Sequence, residues 1–222
     1  MPQNFTTPDF PFVSSSGIWE ELRAPNSSEP RPALFLDRDG VIVEEVNYLH
    51  KAEDLVLVAG AAEVIAKANR LKIPVVIVTN QAGIAYGYFG WQEFEVVQNK
   101  LHRELEALGA TVDAVYACPF HQKGETIWSH ADDHEARKPN PGMLTRAQEQ
   151  LNLDLQRSWI VGDRDSDILA GKKAGLAGGL HVLTGHGKRP GERGAALQAG
   201  TQAYQIKTGN DLRAALELPL LK

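Results

Sequence analysis

Apolar runs alternate with amphipathic stretches along most of the chain. Leu34 to Leu36 is apolar at every position, as is the core of IPVVIVTN, from Val75 to Val78. Such runs suit parallel strands covered on both faces. VDAVYAC, SWIVGD and GGLHVLTG predict three further strands, and AYQI one more. Helical periodicity lies between them. Val64, Ile65, Ala68 and Leu71 recur at helical spacing. Phe94, Val97, Leu101, Leu105 and Leu108 share one face of a longer helix, which Gly109 ends. GMLTRAQEQLNL after Pro141, DILAGKKAG and a closing NDLRAALEL predict three more helices, the last capped by Asn210.

Strand and helix alternate almost without exception from Ala33 onward. This pattern predicts an α/β fold: a doubly wound, Rossmann-like, mainly parallel sheet with helices on both faces. Residues 33–222 are read as a single domain. Residues 1–32, rich in Pro, Ser and Asn, are read as an irregular arm, with Ile18, Trp19 and Leu22 forming one helical turn docked on the body.

Composition narrows the function classes. The net charge of −5, with Lys and Arg dispersed, argues against a nucleic-acid binder. No apolar stretch is long enough to span a bilayer, and the N-terminus lacks the basic start and apolar segment of a secretory signal. One cysteine, Cys118, leaves no internal disulfide. The expectation from these numbers is a cytoplasmic monomer that binds neither nucleic acid nor membrane.

In doubly wound sheets ligands bind beyond the carboxyl ends of the strands. Asp37 and Asp39 follow the first strand, Thr79 and Asn80 the second, and Asp163 the fourth; Lys138 precedes a helix. Two aspartates this close repel unless a cation lies between them. Mg²⁺ takes oxygen ligands, which Asp37, the carbonyl of Asp39 and Asp163 supply. A carboxylate beside Mg²⁺ can attack phosphorus, with Thr79 and Lys138 holding the phosphoryl oxygens and Asp39 moving the proton. The alternating aspartates of GDRDSD fail the calcium-loop template, because Ile168 stands at its sixth place and Ala174 at its twelfth.

Taken together, LFLDRDG, VIVTN, the lysine of RKP and VGDRDSD resemble the four motifs of the haloacid dehalogenase (HAD) superfamily, over Ala33 to Gly187. The resemblance implies that Asp37 is the nucleophile, Asp39 the general acid/base, Thr79 and Lys138 the phosphoryl clamps, Asp163 a Mg²⁺ ligand and Asp167 its support. Asp39 points to phosphatases or mutases, and the short interval between the first two motifs points to a capless type, which disfavours a mutase. More closely, DRDGVI, VTNQAGIAYG, CPFH and RKPNPGML resemble the D-glycero-D-manno-heptose 1,7-bisphosphate phosphatases and the related histidinol-phosphatases. That resemblance implies a substrate site lined by Thr79, Asn80, Gln81, Ala82, Arg137 and Lys138, with Tyr48 and Arg164 beside them. Tyr86 stands where those relatives carry an arginine for the distal phosphate. The expected activity is Mg²⁺-dependent hydrolysis of a sugar bisphosphate through an aspartyl-phosphate. The alternatives are a histidinol-phosphatase or another small-metabolite phosphatase, and a non-catalytic binding protein on the same fold. Intact Asp37, Asp39, Lys138 and Asp163 stand against the last.

Those relatives hold a structural zinc ahead of RKP with Cys-x-His and Cys-x-Cys pairs. Here Phe120 and Ala136 break both pairs. Cys118, His121, His130 and His134 remain as an irregular candidate zinc set. The broken pairs favour a loop held by packing of Phe120 and Trp128 over one held by zinc.

Overall fold

The computed structural model describes residues 10–129 and 134–222. Its core is a seven-stranded sheet: β1 (Trp19–Leu22), β2 (Leu34–Leu36), β3 (Val75–Asn80), β4 (Ala114–Cys118), β5 (Trp159–Gly162), β6 (Gly178–Val182) and β7 (Gln205–Gly209). The spatial order is β1-β4-β3-β2-β5-β6-β7, and only β1 runs antiparallel to its neighbour. Every residue of β2, β4, β5 and β6 is buried, as continuous apolar strands require when both faces are covered. The helices are α1 (Ala61–Arg70), α2 (Ala82–Ala85), α3 (Trp91–Ala107), α4 (Gly142–Leu151), α5 (Asp165–Ala174) and α6 (Glu192–Gln198). Successive strands build outward from β2 in two directions, toward β3 and β4 on one side and β5, β6 and β7 on the other. The end of β2 is therefore the switch point of the sheet, where a crevice opens. No described helix is long and apolar enough to cross a membrane.

Two expectations are corrected here. Trp19 and Leu22 do not form a helical turn. They bound β1, an edge strand whose register sets Trp19 against Ala117 and Leu22 against Ala114. Its burial inverts the usual reading of residue type, since Glu21 is buried and Leu22 is exposed. Glu21 meets a partner inside: Nε2 of His102 lies 3.1 Å from Oε1 and Arg23 Nη1 lies 3.3 Å away. Burial works against the Glu21 charge, but His102 and Arg23 outweigh it and hold the carboxyl below its usual range. His102, on α3, is buried with it. The second correction is at the C-terminus. Leu212–Glu217 is a 3₁₀ helix, and its cap is Asp211, which accepts from the Arg213 amide, in place of Asn210.

Trp19 anchors β1 to α3. It is 1% exposed and packs on Phe94 and Phe12, both at 5.1 Å between ring centroids, and on Trp91 at 5.6 Å. Trp19→Ala is expected to cost about 3–5 kcal/mol. Urea unfolding checks this, and a loss below about 1 kcal/mol would show that β1 is an ornament on the sheet.

Candidate active site

Asp37 and Asp39 flank Arg38 directly after β2, with the Asp37 amide still bonded to the Val161 carbonyl. Gly40 completes the turn at φ +82°. A Cβ there would stand 2.3 Å from Asp163 Oδ2, so the glycine lets β2 and β5 bring their aspartates together. A pocket of about 320 Å³ opens over this point. Each residue placed in the site from sequence lines it: Asp37, Asp39, Tyr48, Thr79, Asn80, Gln81, Ala82, Arg137, Lys138, Asp163 and Arg164.

Lys138 organises the floor. Its Nζ lies 2.9 Å from Asp37 Oδ1 and 2.6 Å from Asp167 Oδ1, and donates to the Val78 carbonyl at 2.7 Å. Burial works against its charge, but Asp167 and Asp37 outweigh it and hold the ammonium above its usual range. Asn80 fixes the Lys138 backbone from both sides: its Oδ1 accepts from the Lys138 amide at 3.1 Å and its Nδ2 donates to the Lys138 carbonyl at 3.0 Å. Asp167 also accepts from the Arg164 amide at 3.0 Å, the first turn of α5.

The acidic groups are crowded. One ligand oxygen each from Asp37, Asp163 and Asp167 lie within 4.8 Å of one another. Burial, with Asp167 and Asp39 adding to it against the pull of Lys138, pushes Asp37 up to about 7. Burial and the charges of Asp37 and Asp167 push Asp163 up to about 9. Asp163 Oδ2 accepts from the His186 amide, whereas its buried Oδ1 has no hydrogen-bond partner among the described residues. An orphaned carboxylate oxygen facing two more carboxylates is the donor set a hard divalent cation needs, so these residues fit magnesium. The Asp39 carboxylate is not in that group. It is bound instead by Arg38, by Gln81 Nε2 at 2.9 Å and by Thr79 Oγ1 at 3.4 Å. Only its backbone carbonyl stays available to the cation reading.

The walls hold residues that sequence reasoning did not assign. Glu45, Asn47, Ser166, His186 and Arg189 line the pocket. His186 Nδ1 lies 3.5 Å from Glu45 and 3.6 Å from Asp163. Tyr86 meets His121 through its hydroxyl at 3.0 Å and packs edge-on against Tyr48 at 6.1 Å. The LTGHG motif, at the end of β6, was the only sequence sign of His186. Of the candidate zinc set, His130 lies outside the described residues. Cys118 is fully buried, and burial pushes its thiol up to about 12. His134 stacks on Phe120 at 4.0 Å and accepts from the Ala136 amide, and Phe120 in turn packs on Trp128 at 5.7 Å.

Comparisons with known proteins agree with this geometry. A HAD-hydrolase-like family model matches residues 135–195. The D-glycero-beta-D-manno-heptose-1,7-bisphosphate 7-phosphatase of Mesorhizobium japonicum is 44% identical over 209 residues, 92% of each chain. A crystal structure of a HAD-like phosphatase from Mesorhizobium loti superposes with a TM-score of 0.78 at 41% identity, covering 92% of this chain and 91% of that one. The D,D-heptose 1,7-bisphosphate phosphatase from B. bronchiseptica, complexed with magnesium and phosphate, gives a TM-score of 0.70 at 29% identity, covering 84% of this chain and 96% of that one. A switch-point pocket floored by Asp37, Lys138 and Asp163, and relatives of near-equal length, place the chain in the HAD-like phosphatases, within the group that contains the heptose-1,7-bisphosphate 7-phosphatases.

Proposed function

We propose that this protein hydrolyses one phosphomonoester of a D-glycero-D-manno-heptose 1,7-bisphosphate, the 7-phosphate, through a covalent phosphoryl group on Asp37. One observation carries this reading. Asp37 Oδ1 is pinned by the Arg38 amide at 2.8 Å and by Lys138 at 2.9 Å, at the floor of a pocket walled by further cations. Its second oxygen is the one left to attack. The attack forms an Asp37–phosphorus bond and breaks the bond from phosphorus to the sugar oxygen, which takes a proton from Asp39. Asp39 then draws a proton from water as the water attacks phosphorus, and the Asp37 carboxylate and inorganic phosphate are released. Lys138 and Thr79 bind phosphoryl oxygens through both steps. Asp37, Asp163 and the Asp39 carbonyl would hold Mg²⁺, which when bound supplies positive charge to the phosphoryl oxygens and to the crowded carboxylates.

A second phosphate is supported by the walls. Tyr86 removes one expected cation, but Arg137, Arg164 and Arg189 all line the pocket beyond Lys138. The loop ahead of Arg137 is read as held by the Trp128–Phe120–His134 ring packing, not by zinc. The relative from Mesorhizobium japonicum carries the beta-anomer in its name, so that anomer is the first to test.

Purified protein with magnesium, screened against phosphorylated metabolites including both heptose bisphosphate anomers, is expected to give its highest kcat/KM on a heptose bisphosphate. The product should retain the anomeric phosphate. Faster turnover of histidinol phosphate or of another monophosphate overturns the substrate assignment.

A further inference from the structure

Arg38 stands between the two pocket aspartates, yet its side chain turns away from the pocket and is fully buried. A buried guanidinium is costly unless it is paired. Its carbon lies 5.0 Å from the centre of the Phe94 ring, a cation–π contact on a ring braced by Trp19 and Trp91. Its hydrogen bonds run to Asp39. Nε reaches both carboxylate oxygens at 3.2 Å, and Nη2 reaches Oδ1 at 3.0 Å. Oδ2 lies on the side of Gln81 and Thr79, two residues that line the pocket.

We propose that Arg38 is the positioning residue of the acid–base step, holding the plane of the Asp39 carboxylate so that Oδ2 faces the reacting oxygen. The inference rests on the reading of Asp39 as the proton donor and acceptor. An aspartate on a loop rotates freely about two side-chain bonds, and a carboxylate turned away transfers no proton. Gln81 and Thr79 hold Oδ2 from the pocket side, and the arginine fork fixes the plane from the other, which a lysine point charge does not. Phe94 fixes the fork in turn. The Arg38 amide binds Asp37 and is kept in every side-chain variant, whereas the side chain acts through Asp39. Its hold serves both halves of the reaction, because Asp39 gives a proton to the sugar oxygen in the first and takes one from water in the second.

The test compares Arg38→Met, Arg38→Lys and Asp39→Asn on two substrates. One is the best sugar phosphate from the metabolite screen. The other is p-nitrophenyl phosphate, whose leaving group departs without a proton. Arg38→Met is expected to lose about 100-fold in kcat on the sugar phosphate, with KM and inhibition by inorganic phosphate unchanged. On p-nitrophenyl phosphate it should release a burst of one nitrophenolate per site and then turn over slowly, since only the hydrolysis of the phosphoenzyme still needs a base. Arg38→Lys should recover part of the loss. If Arg38→Met fails to fold, the same burst at intermediate amplitude in Arg38→Lys carries the proposal. A burst in Asp39→Asn with wild-type kinetics in both arginine variants overturns the role of Arg38 alone. No burst in Asp39→Asn overturns the acid–base reading beneath it. Equal losses on both substrates without a burst reduce Arg38 to a packing residue.

Discussion

Asp37→Asn is expected to abolish turnover, by about four to six orders of magnitude, while the chain stays folded. An amide oxygen is a poor nucleophile, and no other carboxylate pinned by Lys138 lies open to the pocket. Asp167 is buried and engaged with both Lys138 and the first turn of α5. Removing one member of a buried ion pair usually costs 3–5 kcal/mol, because the other charge is stranded. Here Lys138 keeps Asp167 at 2.6 Å and the Val78 carbonyl at 2.7 Å, so its charge stays paired. The variant also loses a carboxylate that burial pushes up to about 7 and that pushes Asp163 further up. At pH 8 without metal it should therefore melt a few degrees higher than wild type. Circular dichroism melts and phosphate release measure the two halves. Substantial residual phosphatase activity would refute the covalent assignment, and a collapsed fold would show that Lys138 depends on Asp37.

Chelation gives the second large effect. EDTA should stop phosphate release, and excess Mg²⁺ should restore it. The same cation should stabilise the fold, and the gain should grow with pH. Asp37 and Asp163 ionise at about 7 and about 9 in the folded protein, against 3.8 for an ordinary aspartate. Below about pH 4 both groups are protonated in the folded and the unfolded chain, and neither costs stability. As the pH rises the unfolded chain gives up these protons first. Metal-free stability therefore falls from about pH 4 onward, and the loss is complete above about pH 9. Magnesium favours the ionised carboxylates, so protons compete with it at low pH. A free concentration of about 100 times Kd adds roughly 2.7 kcal/mol, or about 5–10 °C in Tm for a chain of this size. The gain should be near zero at pH 5 and largest at pH 8–9. A magnesium effect independent of pH would place the cation away from these aspartates.

Much of this site was written locally. Asp37, Asp39, Thr79 and Asp163 each follow an apolar strand run within three residues, and Lys138 sits in a short RKP segment. Their chain-order positions alone put them on one edge of a parallel sheet. What each side chain does there was less legible. Asn80 and Gln81 were read as substrate contacts. Their amides are engaged with the Lys138 backbone and with the Asp39 carboxylate, partners 58 and 42 residues away. Arg38 carried no signal beyond its place between two aspartates, because its burial depends on Phe94 from α3, far along the chain.

The sequence alone determined the alternation of strands and helices and the acidic strand ends, since each depends on residues adjacent in the chain. Tertiary structure alone decided that Trp19–Leu22 is an edge strand, that Glu21 and His102 are buried together, and that Asp167 bridges Lys138 and α5. Those features arise from pairings across long stretches of chain, where the partner's position, not the residue's own polarity, sets whether a charge can be buried.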